Sequence, residues 1–273
     1  LATAEERRTL MGFGRVWGRP YGIDTEVFRP AEGVTAKYDV VFGSGPGDPG
    51  PTPQMLAELA RDEPDLDGIT AERVERARAT LAGVCEPLGA SVRAVGERLL
   101  EMQVSDRLAA IEAEGGELAA GVASLRAQPS AYVKVTDSVR WVERWRRAFV
   151  AAYLSRRVSV AVFGGMDLSA WGFEGEMLGS VEYGAMARTY ALGRLGLNAM
   201  RWQDDVGLNL KALEVTASGV ACVCERRGGL ETLCDGGTEF AAVDGPAGAL
   251  AEVPRLLGVD AARAAMANAG MER

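Results

Sequence analysis

The sequence of 273 residues contains no histidine. Histidine is the commonest general base and the usual partner of a serine or cysteine nucleophile, so its absence excludes Ser-His and Cys-His catalysis by this chain. Cysteine is scarce, and the four present are Cys85, Cys222, Cys224 and Cys234. Zinc sites need thiolates or histidines at paired spacings, whereas Cys222 and Cys224 alternate in an apolar run that is typical of a buried strand. We therefore predict no metal site and expect any catalysis to use carboxylates, Lys, Arg, Tyr or backbone dipoles.

Long apolar runs and an excess of positive charge are also missing. No run approaches the roughly 18 apolar residues that cross a bilayer, and the N-terminal segment has no signal-peptide core. The 30 Lys and Arg residues against 38 Asp and Glu give a formal net charge of −8. This balance disfavours a nucleic-acid partner, because such surfaces rest on clustered Lys and Arg. We expect a cytoplasmic protein with no transmembrane segment.

The second half of the chain alternates predicted strands with predicted helices. Apolar runs typical of buried strands lie at 37–42, 158–163, 195–200, 220–224 and 239–243. Helical spacing of apolar residues lies at 137–154, 183–194, 208–218, 230–234, 246–257 and 260–269. This alternation favours right-handed βαβ units. The predicted fold class is α/β, a Rossmann-like parallel sheet sandwiched by helices, with a helical insertion.

Domain boundaries follow from composition. Residues 1–36 are turn-rich and are predicted to be a linker that ends a mostly absent N-terminal domain. Residues 37–273 are predicted to form the Rossmann-like domain, in which 46–130 is a helical insertion or cap. The glycines within 43–50 miss the spacing of a dinucleotide-binding loop, so a turn is favoured there and a phosphate contact is left open. In the helix at 137–154, the arginines are interpreted as a solvated face, with a partner surface as the alternative.

The candidate binding site follows the strand at 195–200. The next helix is predicted to open at Gly207 and Leu208 and to carry Asn209, Lys211 and Glu214. Backbone N–H groups at a helix start suit phosphate oxygens, and a carboxylate in the same helix can accept hydrogen bonds from ribose hydroxyls. Lys211 can contact the phosphates or pair with Glu214 at i,i+3, and Asn209 can cap the helix or bind ligand. Glu214 is either the ribose ligand or an ordinary glutamate on the helix surface.

Two loops flank this helix start. Asp204 and Asp205 precede it and can accept hydrogen bonds from sugar hydroxyls, although adjacent acids in a loop are more often solvated. Arg227, Gly228 and Gly229 follow the strand at 220–224, where glycines admit a ligand and an arginine balances a diphosphate. A turn that leads into the next helix explains these three residues equally well.

Three passages resemble the carboxyl-terminal half of group 1 glycosyltransferases, and most of all the CgeB-like, spore-maturation-protein type. They are Glu214–Gly219, Gly229–Gly236 and Ala261–Arg273. The resemblance covers 22–45 and 139–273. It implies a GT-B architecture, in which two Rossmann-like domains face across a cleft and this half binds a nucleotide-sugar donor.

The resemblance also implies roles for individual residues. Glu214 would hold the ribose, the 207–210 backbone and Lys211 would hold the diphosphate, and the 226–229 loop would border the donor. Relatives often carry a second glutamate that contacts the transferred sugar, eight residues before the Glu214 position. This sequence has Val206 there.

The implied enzyme is hexosyltransferase-like and metal-independent, with a UDP- or GDP-linked sugar as donor, no cofactor and an unnamed acceptor. With Val206 in place of the glutamate, sugar binding would fall to Asp204 or Asp205, and no catalytic residue is assigned. Two other functions stay open. A non-catalytic nucleotide-sugar-binding or scaffold domain would account for Val206, and a nicotinamide-dependent oxidoreductase is disfavoured by the glycine spacing at 43–48.

Overall fold

The structure is a computed structural model that describes residues 23–45, 50–102, 108–199, 210–226, 230 and 234–272, without the side chain of residue 109. Its strands are β1 Tyr38–Ser44, β2 Val160–Gly164, β3 Glu176–Gly179, β4 Gly193–Asn198, β5 Cys222–Glu225 and β6 Ala241–Val243. Its α-helices are α1 Pro53–Glu58, α2 Leu66–Cys85, α3 Ala90–Met102, α4 Leu108–Ala113, α5 Gly116–Ala127, α6 Pro129–Arg140, α7 Arg146–Ser155, α8 Met186–Tyr190, α9 Leu210–Ala217, α10 Gly245–Leu257 and α11 Asp260–Glu272.

The described chain divides into two compact units. The helical unit consists of Asp65–Arg144 and contains α2 to α6. The sheet unit consists of the other described residues and contains all six described strands. The helical unit therefore interrupts the chain between β1 and β2.

In the sheet unit the strands pair in parallel in the order β3-β2-β1-β4-β5-β6. The chain winds outward from β1 through β2 to β3, and then from β4 through β5 to β6. The winding direction reverses between β1 and β4, and open α/β folds bind ligands at the carboxyl ends of the strands beside such a reversal. The predicted Rossmann-like α/β fold is confirmed.

The central strands are buried on both faces, as their apolar sequences require. Val40, Val41 and Phe42 of β1 are at most 1% exposed, which is typical of a parallel strand covered by helices on both sides. On one face, Val41 belongs to the apolar cluster that includes Tyr190 of α8 and Val215 of α9. Helices α7 and α10 pack against each other and against the sheet on the other face.

Gly196 sets the distance between α9 and the sheet. A Cβ atom at Gly196 would lie 2.4 Å from Cγ1 of Val215, which is closer than carbon atoms approach in folded proteins. Val215 is 1% exposed and β-branched, so it has little freedom to turn away. The glycine therefore allows α9 to lie directly on β4.

The helical unit has an apolar core of its own. Asp65 caps α2 by accepting the backbone N–H of Gly68 at 2.8 Å. The guanidinium of Arg73 lies 3.3 Å from the ring centre of Trp141 and donates to the Trp141 carbonyl at 2.5 Å. Trp141 follows the last residue of α6, so Arg73 meets the negative end of that helix dipole.

The single helix predicted at 137–154 is wrong. The structure ends α6 at Arg140 and begins α7 at Arg146, and the two helices belong to different units. The apolar spacing continues across the break, whereas Arg73 binds the carbonyl that follows α6. The solvated-face interpretation is also wrong for Arg147, which is 7% exposed.

Two further element predictions need correction. Helix α8 ends at Tyr190, and Arg194 lies in β4, which begins two residues before the predicted strand. Strand β3 was not predicted, because it is a short edge strand whose residues are mostly exposed. No helix among the described residues combines the length and apolarity needed to cross a membrane.

We predict that Gly196→Ala will lower the free energy of unfolding by about 2 kcal/mol, because the new methyl group overpacks a buried contact. Urea denaturation followed by circular dichroism measures the change. Gly184→Ala is the matched control, since a Cβ there meets no atom within 4 Å. Equal midpoints for the two variants would show that α9 does not depend on close contact with β4.

Candidate functional site

Buried polar residues end three neighbouring strands at the carboxyl edge of the sheet. Ser44 ends β1, Asn198 ends β4 and Glu225 ends β5, and their exposed fractions are 4%, 1% and 3%. Asn198 donates to the Cys224 sulfur at 3.3 Å. Sequence reasoning missed these residues, although a polar residue that ends an apolar strand at the ligand-binding edge was a usable signal. Ser44 and Asn198 lie on the two strands that flank the reversal.

Glu214 is a buried carboxylate on α9, 7% exposed. The Tyr190 hydroxyl of α8 donates to its Oε2 at 2.9 Å. Helical side chains lean toward the N-terminus of their helix, and α9 begins at the carboxyl edge because it follows β4. The interpretation of Glu214 as an ordinary surface glutamate is therefore wrong, while its contact with a ribose stays a prediction.

The surroundings of Glu214 shift the pKa of its carboxyl group in opposite directions. Burial raises the pKa of Glu214 above its usual value, and the Tyr190 hydrogen bond and the nearby Lys211 charge lower it, with burial dominant. Burial and the neighbouring carboxylate raise the pKa of Tyr190, so its hydroxyl stays protonated and remains a donor. Lys211 is thus close enough to Glu214 to interact, as the i,i+3 spacing predicts.

The end of α9 is held by local hydrogen bonds. The Ser218 hydroxyl donates to the Glu214 carbonyl at 2.7 Å, and the chain leaves the helix at Gly219, which has a φ of +74°. A Cβ at Gly219 would lie 3.2 Å from Pro30, so the predicted linker passes close to this turn. Left-handed backbone at the end of a helix favours glycine, and the predicted stop at Gly219 is confirmed.

The carboxyl end of β1 is held against the end of β2. Gly165 donates its N–H to the Ser44 carbonyl at 3.0 Å. Gly164 has a φ of +103°, and a Cβ there would lie 1.9 Å from the same carbonyl oxygen. Arg147 of α7 lies beside the residue that follows β1, with its Nη2 3.5 Å from the Gly45 carbonyl oxygen. Ser44, Gly45 and Arg147 thus lie together at the reversal.

The structure places part of the predicted site. Glu214 and Lys211 lie on one helix and interact. The remaining predicted site residues lie outside the described residues, and their roles stay predictions; they are Asp204, Asp205, Gly207, Leu208, Asn209, Arg227, Gly228 and Gly229. Tyr190 contacts the predicted site through Glu214 and was also missed, because it lies 24 positions away in sequence and carries no local motif.

The environment of Cys222 and Cys224 does not favour nucleophilic or metal-binding roles. Cys222 and Cys224 are buried in β5, and burial raises the pKa of Cys222 to about 12. A thiol with a raised pKa is a poor nucleophile and a poor metal ligand. The prediction that these two cysteines are small core residues of a strand is confirmed. Within the described ranges, no three His, Cys, Asp or Glu side chains group as a metal site would require.

We predict that Glu214→Gln will be more stable than the wild type at about pH 8, and that the difference will shrink toward about pH 5. Because the folded pKa of Glu214 is raised, the folded state binds the proton more tightly than the unfolded state. That contribution is complete below the ordinary glutamate pKa of about 4.3 and is lost as the pH rises through the raised value. Glutamine does not titrate. Urea midpoints across this range test the prediction, and a difference independent of pH would contradict it.

We predict that Tyr190→Phe will lower the free energy of unfolding by about 1–3 kcal/mol, because it leaves a buried carboxylate oxygen without its donor. Tyr183→Phe is the control. Tyr183 is 54% exposed and contacts Phe28 through its ring, which phenylalanine preserves. Equal urea midpoints for the two variants would indicate that the hydroxyl of Tyr190 contributes nothing to the fold.

Comparison with known proteins gives one family match. Residues 140–273 match the family model described as glycosyl transferase-like. No curated protein matches the chain. The matched segment contains α7, strands β2 to β6, and the helix that carries Lys211 and Glu214, whereas β1 and most of the helical unit precede it. The match supports a glycosyltransferase family and a general role in glycosyl transfer for this part of the chain.

Proposed function

We propose that the sheet unit binds the nucleotide-diphosphate sugar donor of a glycosyl transfer, with UDP or GDP as the leaving group. The observation that carries the proposal is the buried Glu214 carboxylate, held by Tyr190 on the helix that follows β4. Strand β4 borders the reversal of the sheet, where open α/β folds bind ligands. The glycosyl transferase-like match of residues 140–273 supports the same reaction class.

Glu214 has the chemistry to bind a ribose. An ionised carboxylate offers about four acceptor positions, so the bond from Tyr190 to Oε2 leaves capacity for two vicinal hydroxyls. The same bond fixes the orientation of the carboxylate before ligand arrives, which reduces the entropy lost on binding. Tyr190 therefore acts as a positioning residue in this proposal.

The leaving diphosphate needs positive charge that is already in place. Lys211 precedes Glu214 by one helical turn and supplies an ammonium group near the start of α9, where backbone N–H groups also favour anions. Preorganised charge of this kind stabilises a leaving group without a metal. In the proposed site Gly207, Leu208 and Asn209 would also contact the diphosphate.

The remaining predicted residues complete the proposed donor site. Asp204 and Asp205 would accept hydrogen bonds from hydroxyl groups of the transferred sugar. Arg227, Gly228 and Gly229 would border the donor after β5. In this arrangement the donor would lie over the carboxyl ends of the strands beside the reversal.

A second candidate is a domain that binds the donor without transferring the sugar. It is favoured by Val206, since the resemblance places a sugar-binding glutamate at that position. Donor binding with neither sugar transfer nor donor hydrolysis would support this candidate over the enzyme. Release of free UDP or GDP from the nucleotide sugar would support the enzyme.

We predict that UDP or GDP will raise the melting temperature of the chain and that Glu214→Gln will weaken binding at least about tenfold, because hydrogen bonds to a charged group contribute about 1.5–3 kcal/mol. Calorimetric titration measures the affinity. Glu182→Gln is the control, since Glu182 is an exposed glutamate of the same unit. Absence of any shift with either nucleotide would exclude the proposal.

The ribose contact can be tested separately from folding. The wild type should bind the ribonucleotide more tightly than its 2′-deoxy analogue, and Glu214→Gln should bind both alike, because the variant has lost the partner of the 2′-hydroxyl. The variant is predicted to be more stable than the wild type at about pH 8, so weaker binding measured at that pH would not reflect unfolding. An unchanged preference for the ribonucleotide in the variant would assign Glu214 a purely structural role.

A further inference from the structure

Helix α7 starts at the ligand-binding edge of the sheet. Strand β2 runs parallel to β1, and the chain passes from α7 through residues 156–159 into the amino end of β2. The ten-residue helix therefore runs antiparallel to the strands, so that its first turn lies at their carboxyl ends. Arg147 is in that first turn.

The position of α7 is fixed by packing along its whole length. Every residue from Arg147 to Ser155 is buried. Trp145, Phe149 and Tyr153 form a continuous aromatic row, with ring centres 5.3 Å and 6.0 Å apart. The Tyr153 hydroxyl donates to the Asp62 carbonyl at 2.5 Å, which anchors the far end of the row. Such a helix holds a first-turn side chain in one place.

Arg147 is a charged residue in this otherwise apolar and small-residue helix interior. It is 7% exposed, and its guanidinium lies beside the carboxyl end of β1, with Nη2 3.5 Å from the Gly45 carbonyl oxygen. The guanidinium thus lies at the reversal between β1 and β4.

We infer that Arg147 binds the diphosphate of the donor, from the face of the sheet opposite α9. This inference rests on the proposed function and adds a residue to the same site. A guanidinium has five N–H donors in a planar fork that matches two phosphate oxygens at once. Arg147 and Lys211 then contact the diphosphate from opposite faces of the sheet, while Glu214 holds the ribose.

The test is the ratio of affinities for nucleoside diphosphate and monophosphate, measured by calorimetry on the full chain with UDP and UMP, or with GDP and GMP. In Arg147→Gln the preference for diphosphate should fall about tenfold or more, since a charge-assisted contact to the second phosphate is lost. In Glu214→Gln both affinities should fall together and the ratio should hold, because that variant loses a ribose contact. Arg147→Lys should give an intermediate ratio.

Arg157→Gln is the matched control. Arg157 follows the end of α7 opposite Arg147 and lies over the Tyr153 ring at 3.6 Å, so the variant should keep the wild-type ratio. If Arg147→Gln does not fold, Arg147→Lys decides, since it retains the charge and loses only the fork. A wild-type ratio in the folded Arg147 variants would overturn the inference and leave the proposed donor site intact. A wild type that binds none of the four nucleotides would overturn both.

Discussion

The direct contact between α9 and β4 is the constraint on which the site depends. Gly196 has no side chain, and Val215 occupies the space that a methyl group would fill. This contact brings α9 against the sheet beside α8, and Tyr190 and Glu214 then lie within hydrogen-bond distance. Gly196 therefore permits the close packing of α9 in which Glu214 is buried. A bulkier residue at position 196 would change the charge arrangement of the site as well as its packing.

The Tyr190–Glu214 pair also raises the question of why an ionisable group is buried there. Burial raises the pKa of Glu214 despite the opposing effects of Tyr190 and Lys211, so the ionised form costs stability in the folded protein. Two neutral partners would join α8 to α9 without that cost. Residues whose burial destabilises the fold and whose pKa is shifted occur often at functional sites, which favours a ligand-binding role over a structural one.

The sequence predicted the sheet well and the contacts across the site poorly. Runs such as Val40-Val41-Phe42 indicate strands directly, and their alternation with helices indicates the parallel fold. Tyr190 and Glu214 meet although 24 positions separate them, and no periodicity reports such a pairing. The break after α6 was missed because apolar spacing continues through it, and the contact that ends α6 comes from Arg73. Local patterns determine elements, whereas tertiary contacts decide where they stop and which polar groups they bury.

The charged residues at the carboxyl edge of the sheet indicate how the proposed donor would be oriented. A diphosphate placed over Glu214 would be repelled by the carboxylate, whereas ribose hydroxyls would donate hydrogen bonds to it. A diphosphate near Arg147 and the carboxyl end of β1 would meet positive charge and the backbone of Gly45. The nucleoside should therefore lie on the α9 side of the reversal and the diphosphate should extend toward β1. The Glu214 carboxylate on α9 and the Arg147 guanidinium on α7 would thus distinguish the ribose end of the proposed donor from its diphosphate end.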